Sequence, residues 1–204
     1  FYINVLFGQT DKPNFFSEVV VSLNRTNLKN QNTENGNGFG IGILQSFLNN
    51  KKVNLIFGFE FNKTSQLKKS MYGGHYAHST NVKYSFNWIS IPLNARIHFG
   101  KRFKFFIESG IFVDIPFSAR KKGTSHTYIP NDDHQFEYIE TSFDRKANQI
   151  GVNFGLSLGL GIIIPISSVT LIIKPDYRLG LKPIYDYYDQ INNKYFRINI
   201  GMKI

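Results

Sequence analysis

Residues Gly151 to Ile164, "GVNFGLSLGLGIII", decide the fold of this chain. The stretch carries no charge and runs into Pro165. Gly151, Gly155 and Gly159 fall on every fourth residue, the small-xxx-small spacing of packed transmembrane helices. Yet Val152, Phe154, Leu156, Leu158, Leu160, Ile162 and Ile164 fall on every second residue, the period of a β-strand. A helix here would carry Gly151, Gly155, Gly159 and Gly161, each interior glycine costing about 1 kcal/mol relative to alanine. The glycine spacing needs no helix, because every fourth place is also a second place. The stretch reads as a strand.

Seven other segments alternate in the same way. "KVNLIFGFEFN" (52–62) sets Val53, Leu55, Phe57, Phe59 and Phe61 against Asn54, Ile56, Gly58, Glu60 and Asn62. "WISIPLNARIHF" (88–99) sets Ile89, Ile91, Leu93, Ala95, Ile97 and Phe99 against Ser90, Pro92, Asn94, Arg96 and His98. "FKFFIESGIFVDI" (103–115) separates Ile107, Ile111 and Val113 from Glu108, Gly110 and Asp114, with Phe106 and Phe112 intruding on the polar side. "VTLIIKPDYRLGL" (169–181) and "FRINIGMKI" (196–204) alternate clearly, and "SEVVVSLN" (17–24) and "GFGIGILQSF" (38–47) less sharply. Eight strands result.

The connections sort by length. Short ones at 49–52, 100–102 and 165–168 alternate with long ones at about 25–37, 63–82, 117–147 and 182–194. That alternation is the habit of an up-and-down membrane barrel, whose tight turns face the periplasm and whose long loops face outside. The expected architecture is an all-β, eight-stranded antiparallel up-and-down transmembrane β-barrel, a single domain over 1–204 with both termini periplasmic. The opening "FYINVLFGQT" (1–10) reads as a signal-peptide remnant or a periplasmic N-terminal segment.

The polar face points inward on this reading. It is rich in glycine, where a water-facing surface carries long Lys, Glu and Gln, and a narrow eight-stranded interior needs small residues wherever large ones must fit. The apolar face is bulky and nearly free of charge, as acyl chains require. A soluble barrel with an apolar cavity is the competing reading, and its walls seldom present such uniformly large residues on every strand. Composition agrees: 16% of residues are aromatic, with 20 Phe and 11 Tyr, and no apolar run is long enough for a helical span. With no cysteine among these 204 residues, no disulfide, thiolate metal site, cysteine nucleophile or lipoprotein anchor is expected within them. A net charge of +10 is compatible with anionic lipid or phosphate-bearing glycolipid; its scatter over loops argues against nucleic acid.

The segment "WISIPLNARIHFGKRFKFFIESGIFVDI" (88–115) resembles the small outer-membrane β-barrel proteins of Bacteroidota, the PorT-like or porin-family barrels. "GVNFGLSLGLGIIIPISSVTLIIKPDYRLGL" (151–181) and the closing "YFRINIGMKI" support the resemblance. It implies an outer-membrane barrel of a Gram-negative bacterium and carries no catalytic signature; the PorT-like label suggests secretion by association of names alone. Such barrels often end on an aromatic residue, and this chain ends on Ile204.

The inward charges Glu18, Glu60, Arg96, Glu108, Asp114, Lys174, Asp176, Arg178, Arg197 and Lys203 are expected to form a locked network. Arg96 and Glu108 should meet diagonally across a tight hairpin, and Glu18 and Lys203 where the last strand closes on the first. Catalysis has weak support: His75, His78, His126 and His134 lie in long connections, Ser85 near an outer strand end, and His98 inward near the periplasmic end. "HYAH" (75–78) offers two histidines without a third metal ligand. No cofactor is expected. Contact with partners falls to the loops, through Tyr185, Tyr187 and Tyr188, while Lys68, Lys69, Lys121 and Lys122 could pair with glycolipid phosphates. The expected role is an accessory or structural subunit beside a larger outer-membrane protein or lipoprotein, in secretion, barrel assembly or uptake. A lipid A-modifying enzyme and a free-standing surface-binding barrel are the alternatives.

Overall fold

The computed structural model describes residues 17–26, 33–47, 53–100, 104–130, 135–147, 150–166, 168–185 and 191–204 of the chain. Ten strands run through them: β1 (Ser17–Thr26), β2 (Thr33–Asn35), β3 (Asn37–Ser46), β4 (Val53–Tyr72), β5 (Ala77–Phe99), β6 (Lys104–Pro130), β7 (Phe136–Lys146), β8 (Asn153–Ile166), β9 (Val169–Tyr185) and β10 (Ile191–Lys203). Eight of them close a ring in the order β1-β3-β4-β5-β6-β8-β9-β10, and every pairing is antiparallel. The seam forms where β10 meets β1, with Val21 opposite Ile200. The two additional strands lie outside the ring: β2 pairs with the upper part of β4, and β7 with the upper part of β6.

Period-two alternation builds the wall. Glu18, Asn62, Ser90, Arg96, Glu108, Asp176 and Arg197 are buried inside it. Leu23, Ile43, Phe59, Leu93, Ile111, Leu158 and Ile200 stand exposed on the outside, the surface that meets lipid. The apolar outer wall of β5 runs from Ile89 to Phe99, matching the roughly 9–11 residues a tilted strand needs to cross a bilayer.

The long connections expected at 63–82 and 117–147 are largely strand. β4 continues to Tyr72, turns through residues 73–76, and returns as β5 from Ala77; β6 continues to Pro130, and β7 runs back beside it from Phe136. The upper parts of β4, β5 and β6, with the whole of β7, form a sheet that projects beyond the lipid-facing wall. Its alternation is inverted. On β5 the inward residues from Arg96 to Ser90 are polar apart from Pro92, then become Trp88, Phe86, Tyr84 and Val82. The outward residues are apolar down to Ile89, then become Asn87, Ser85 and Lys83. The reason is the solvent: where lipid surrounds the barrel the apolar side faces out, and where water surrounds the sheet it must face in. Val82, Tyr84, Phe86, Trp88 and Ile184 form a buried cluster at the barrel mouth, flanked by Met71, Ala119, Phe143 and Ile150.

Candidate functional site

The interior is one continuous ion-pair chain. Arg96 donates two hydrogen bonds to Glu18, at 2.5 and 2.9 Å, and its Nε donates to Glu108 at 2.7 Å. Lys174 Nζ bridges Glu108 at 2.6 Å to Asp176 at 3.6 Å. Arg197 holds both Asp176 oxygens, at 2.8 and 2.7 Å, and reaches Glu60 at 2.7 Å. Arg178 shares that Glu60 oxygen at 2.6 Å and lies 3.7 Å from Asp114. Asp114 also accepts hydrogen bonds from Ser90, Asn153, Asn193 and Tyr195. Nine of the ten inward charges named from sequence therefore meet in one chain, drawn from β1, β4, β5, β6, β9 and β10. Lys203 faces Glu18 in register.

Two details differ from the sequence reading. Arg96 and Glu108 sit directly opposite each other rather than diagonally, because the register of β5 on β6 pairs them. Phe106 and Phe112 do not intrude on the interior; they belong to it. The Arg96 guanidinium lies 4.3 Å from the Phe106 ring centre, and that of Arg178 lies 5.0 Å from the Phe112 ring centre. Each ring is opposite a glycine on β8, Phe106 across from Gly161 and Phe112 across from Gly155. A side chain at Gly161 would collide with the Phe106 ring. β8 is glycine-rich on its inner face because its neighbours fill the space. Among the described residues, arginine, carboxylate and aromatic groups pack the lumen.

The projecting sheet carries the remaining candidates. His78 and His126 face each other across β5 and β6, their rings stacked with centres 4.6 Å apart. His126 bonds Thr80 Oγ1 through Nε2 at 2.8 Å and Tyr138 Oη through Nδ1 at 2.5 Å, and its Nδ1 lies 3.9 Å from Glu140. Desolvation and the Glu140 carboxylate push the Tyr138 phenol above its ordinary range. Tyr72, Tyr76, Tyr128, Phe136 and Tyr138 are exposed near the tip. His75 is exposed in the turn, while His98 lies at the opposite end of β5, bonded to Asn54 at 2.8 Å.

The lysines expected to meet glycolipid separate. Lys68 is buried inside the sheet, opposite Val82, so it cannot reach a lipid headgroup; the strand continues where a loop was expected, and its position in the alternation turns it inward. Lys121 lies across from buried Tyr84 and is half-buried, and burial, followed by the nearby Arg145 charge, pulls its amine below the ordinary range. Lys69 pairs with Glu34 at 3.0 Å, and Lys122 faces outward, opposite Lys83. His134, Tyr187, Tyr188 and the Tyr185 side chain lie outside the described residues.

The family model for the outer membrane protein β-barrel domain matches residues 7–186. The chain belongs to that family. An outer-membrane location follows from the membership together with the lipid-facing wall. Similar solved structures include Neisserial surface protein A, at 11% identity, covering 93% of this chain and 96% of that one, with a TM-score of 0.49. A major outer membrane protein from Thermus thermophilus is 11% identical, covering 92% and 99%, with a TM-score of 0.48. The outer membrane protein OprG from Pseudomonas aeruginosa is 10% identical, covering 95% and 97%, with a TM-score of 0.46. No curated protein matches the sequence.

Proposed function

We propose that this barrel is a non-conducting, non-enzymatic accessory subunit that contacts a larger outer-membrane protein through its projecting sheet. On this reading the short connections and both termini face the periplasm and the sheet faces outside. The observation that carries it is the sheet itself. Three strands rise from a barrel whose interior is locked, a fourth pairs beside them, and together they end in exposed aromatic side chains. Exposed tyrosines on a hydrogen-bonded sheet offer large contact area, the composition of interface anchors.

The lipid-modifying alternative has one observation in its favour, the Thr80–His126–Glu140 arrangement. It stands in the wrong place. The strand from His78 to Ile89, the first lipid-facing residue of β5, runs about 35 Å at about 3.3 Å per residue, so the cluster stands well clear of acyl esters in the membrane.

Affinity purification from native outer membranes in mild detergent, followed by mass spectrometry, tests the proposal. The wild type should bring down one larger barrel or lipoprotein in stoichiometric amount. A variant with Tyr72, Tyr128 and Tyr138 replaced by serine should lose it. Recovery of the barrel alone across several detergents would contradict the subunit role.

A further inference from the structure

β6 changes partner partway along its length. It pairs with β8 up to Asp114 and with β7 from Arg120 upward. Between these points β7 and β8 diverge, and a cleft opens at the fork, with Pro116, Phe117 and Ser118 below and Arg120, Asp144, Arg145 and Lys146 above. Phe117, at a bulge in the β5–β6 register, is 71% exposed, directly above the lipid-facing wall residue Ile115.

The outward face above this cleft is strongly basic. Three successive rows cross the sheet: Lys63 with Asn87 and Ser118; Ser85 with Arg120 and Lys146; Lys83 with Lys122 and Asp144. Two of these rows set like charges directly opposite each other, Lys83 against Lys122 and Arg120 against Lys146. Such pairs are unfavourable across a sheet. The single carboxylate in the rows, Asp144, reaches Arg120 at 3.0 Å, and both side chains are largely exposed, so the pair is weak and open to competition. Five cations against one acid, lying just beyond an apolar wall, call for anions at the membrane surface.

We infer that the fork between β7 and β8 binds a phosphate-bearing membrane glycolipid. Arg120, Lys146, Lys122 and Lys83 hold its phosphates, and Phe117 covers the first carbons of its acyl chains. The chemistry of the fork explains why this occupant fits: exposed Phe117 continues the lipid-facing wall above Ile115, while the upper lining sets Arg120, Arg145 and Lys146 against the single carboxylate of Asp144. A soluble anion would leave the Phe117 side unused. The set differs from the lysines singled out by sequence, sharing only Lys122, because the strand register decides which lysines face outward. The inference rests on the orientation proposed above, which places this rim in the glycolipid leaflet.

The test is native mass spectrometry of the full chain in uncharged detergent micelles, where orientation and partners play no part. The protein is titrated separately with bisphosphorylated lipid A, its dephosphorylated counterpart, phosphatidylglycerol and inorganic phosphate. Saturable binding of lipid A that depends on its phosphates is expected. Each surface cation is worth about fivefold in affinity, so K83Q/R120Q/K122Q/K146Q should lose roughly a hundredfold or more. Lys69→Gln, which removes a lysine already paired with Glu34, should bind as the wild type does. R120Q/K146Q, a milder pair of surface changes, should lose an intermediate share. Equal binding of phosphate-stripped lipid, or unchanged binding by R120Q/K146Q, would overturn the inference. So would equal binding of phosphatidylglycerol or inorganic phosphate.

Discussion

Trp88 and Ile89 are neighbours on β5 and face opposite sides of the wall: Trp88 is fully buried, its Nε1 donating to Thr64 Oγ1 at 2.9 Å, while Ile89 is 41% exposed to the outside. Between them the barrel changes from apolar-out to apolar-in. The membrane boundary on the sheet side is therefore written into a single dipeptide.

A charge placed on the two sides of that boundary should have unequal effects. Leu93→Arg, near the middle of the apolar wall, should cost about 2–4 kcal/mol. Ser85→Glu, just beyond it and opposite Arg120, should stay within about 0.5 kcal/mol of the wild type. Denaturant unfolding from lipid vesicles measures both, and similar losses would place the boundary elsewhere.

Removing Arg96 breaks the interior chain at a bidentate contact. Arg96→Ala leaves Glu18 and Glu108 buried with fewer partners and should cost about 3–5 kcal/mol. Adding Glu18→Gln should recover part of the loss, since that carboxylate loses its bidentate partner, whereas Glu108 keeps Lys174 at 2.6 Å. An Arg96→Ala barrel as stable as the wild type would refute the network as a structural lock.

The glycines of β8 are there for space, and a double-mutant cycle shows it. Gly161→Val collides with the Phe106 ring and should cost about 1–3 kcal/mol, whereas Gly151→Val meets only the Ile184 carbonyl at 3.9 Å and should cost less. Phe106→Leu should lower the cost of Gly161→Val. Additive effects in the cycle would show that the two positions do not compete.

Lys121 gives a pH-dependent prediction. Its amine is held below the ordinary value by burial and by Arg145, so the folded chain binds its proton less readily than the unfolded chain. That penalty on the folded state is complete below the lowered folded value and fades as pH rises toward the unfolded value near 10.5. Lys121→Met should therefore stabilise the barrel at neutral pH, with an advantage that shrinks above 10.5. Melting curves at the two pH values decide it, and a constant advantage would assign the gain to packing.

The eight barrel strands were legible because their period-two pattern keeps one phase through the membrane, as in "GVNFGLSLGLGIII" and "FRINIGMKI". The inward charges were legible for the same reason. The projecting sheet was missed because its alternation continues in the opposite phase. Val82, Tyr84, Phe86 and Trp88 alternate with Asn81, Lys83, Ser85 and Asn87, and that inverted run carries the strand signal a search for outward apolar residues passes over. Lys68 was misplaced by the same error. The pairing of Phe106 with Gly161 and of Phe112 with Gly155 needs the register of β6 on β8, which spacing along one strand does not reveal. The meeting of Thr80, His126 and Glu140 likewise depends on three strands aligning.

The most direct test of the central claim is photocrosslinking in living cells from a reactive amino acid placed at Tyr128, an exposed residue near the sheet tip. One discrete adduct with a larger outer-membrane protein is expected, absent when the reactive group is placed at lipid-facing Leu93. No adduct from Tyr128, or the same adduct from Leu93 alone, would contradict a partner held by the sheet.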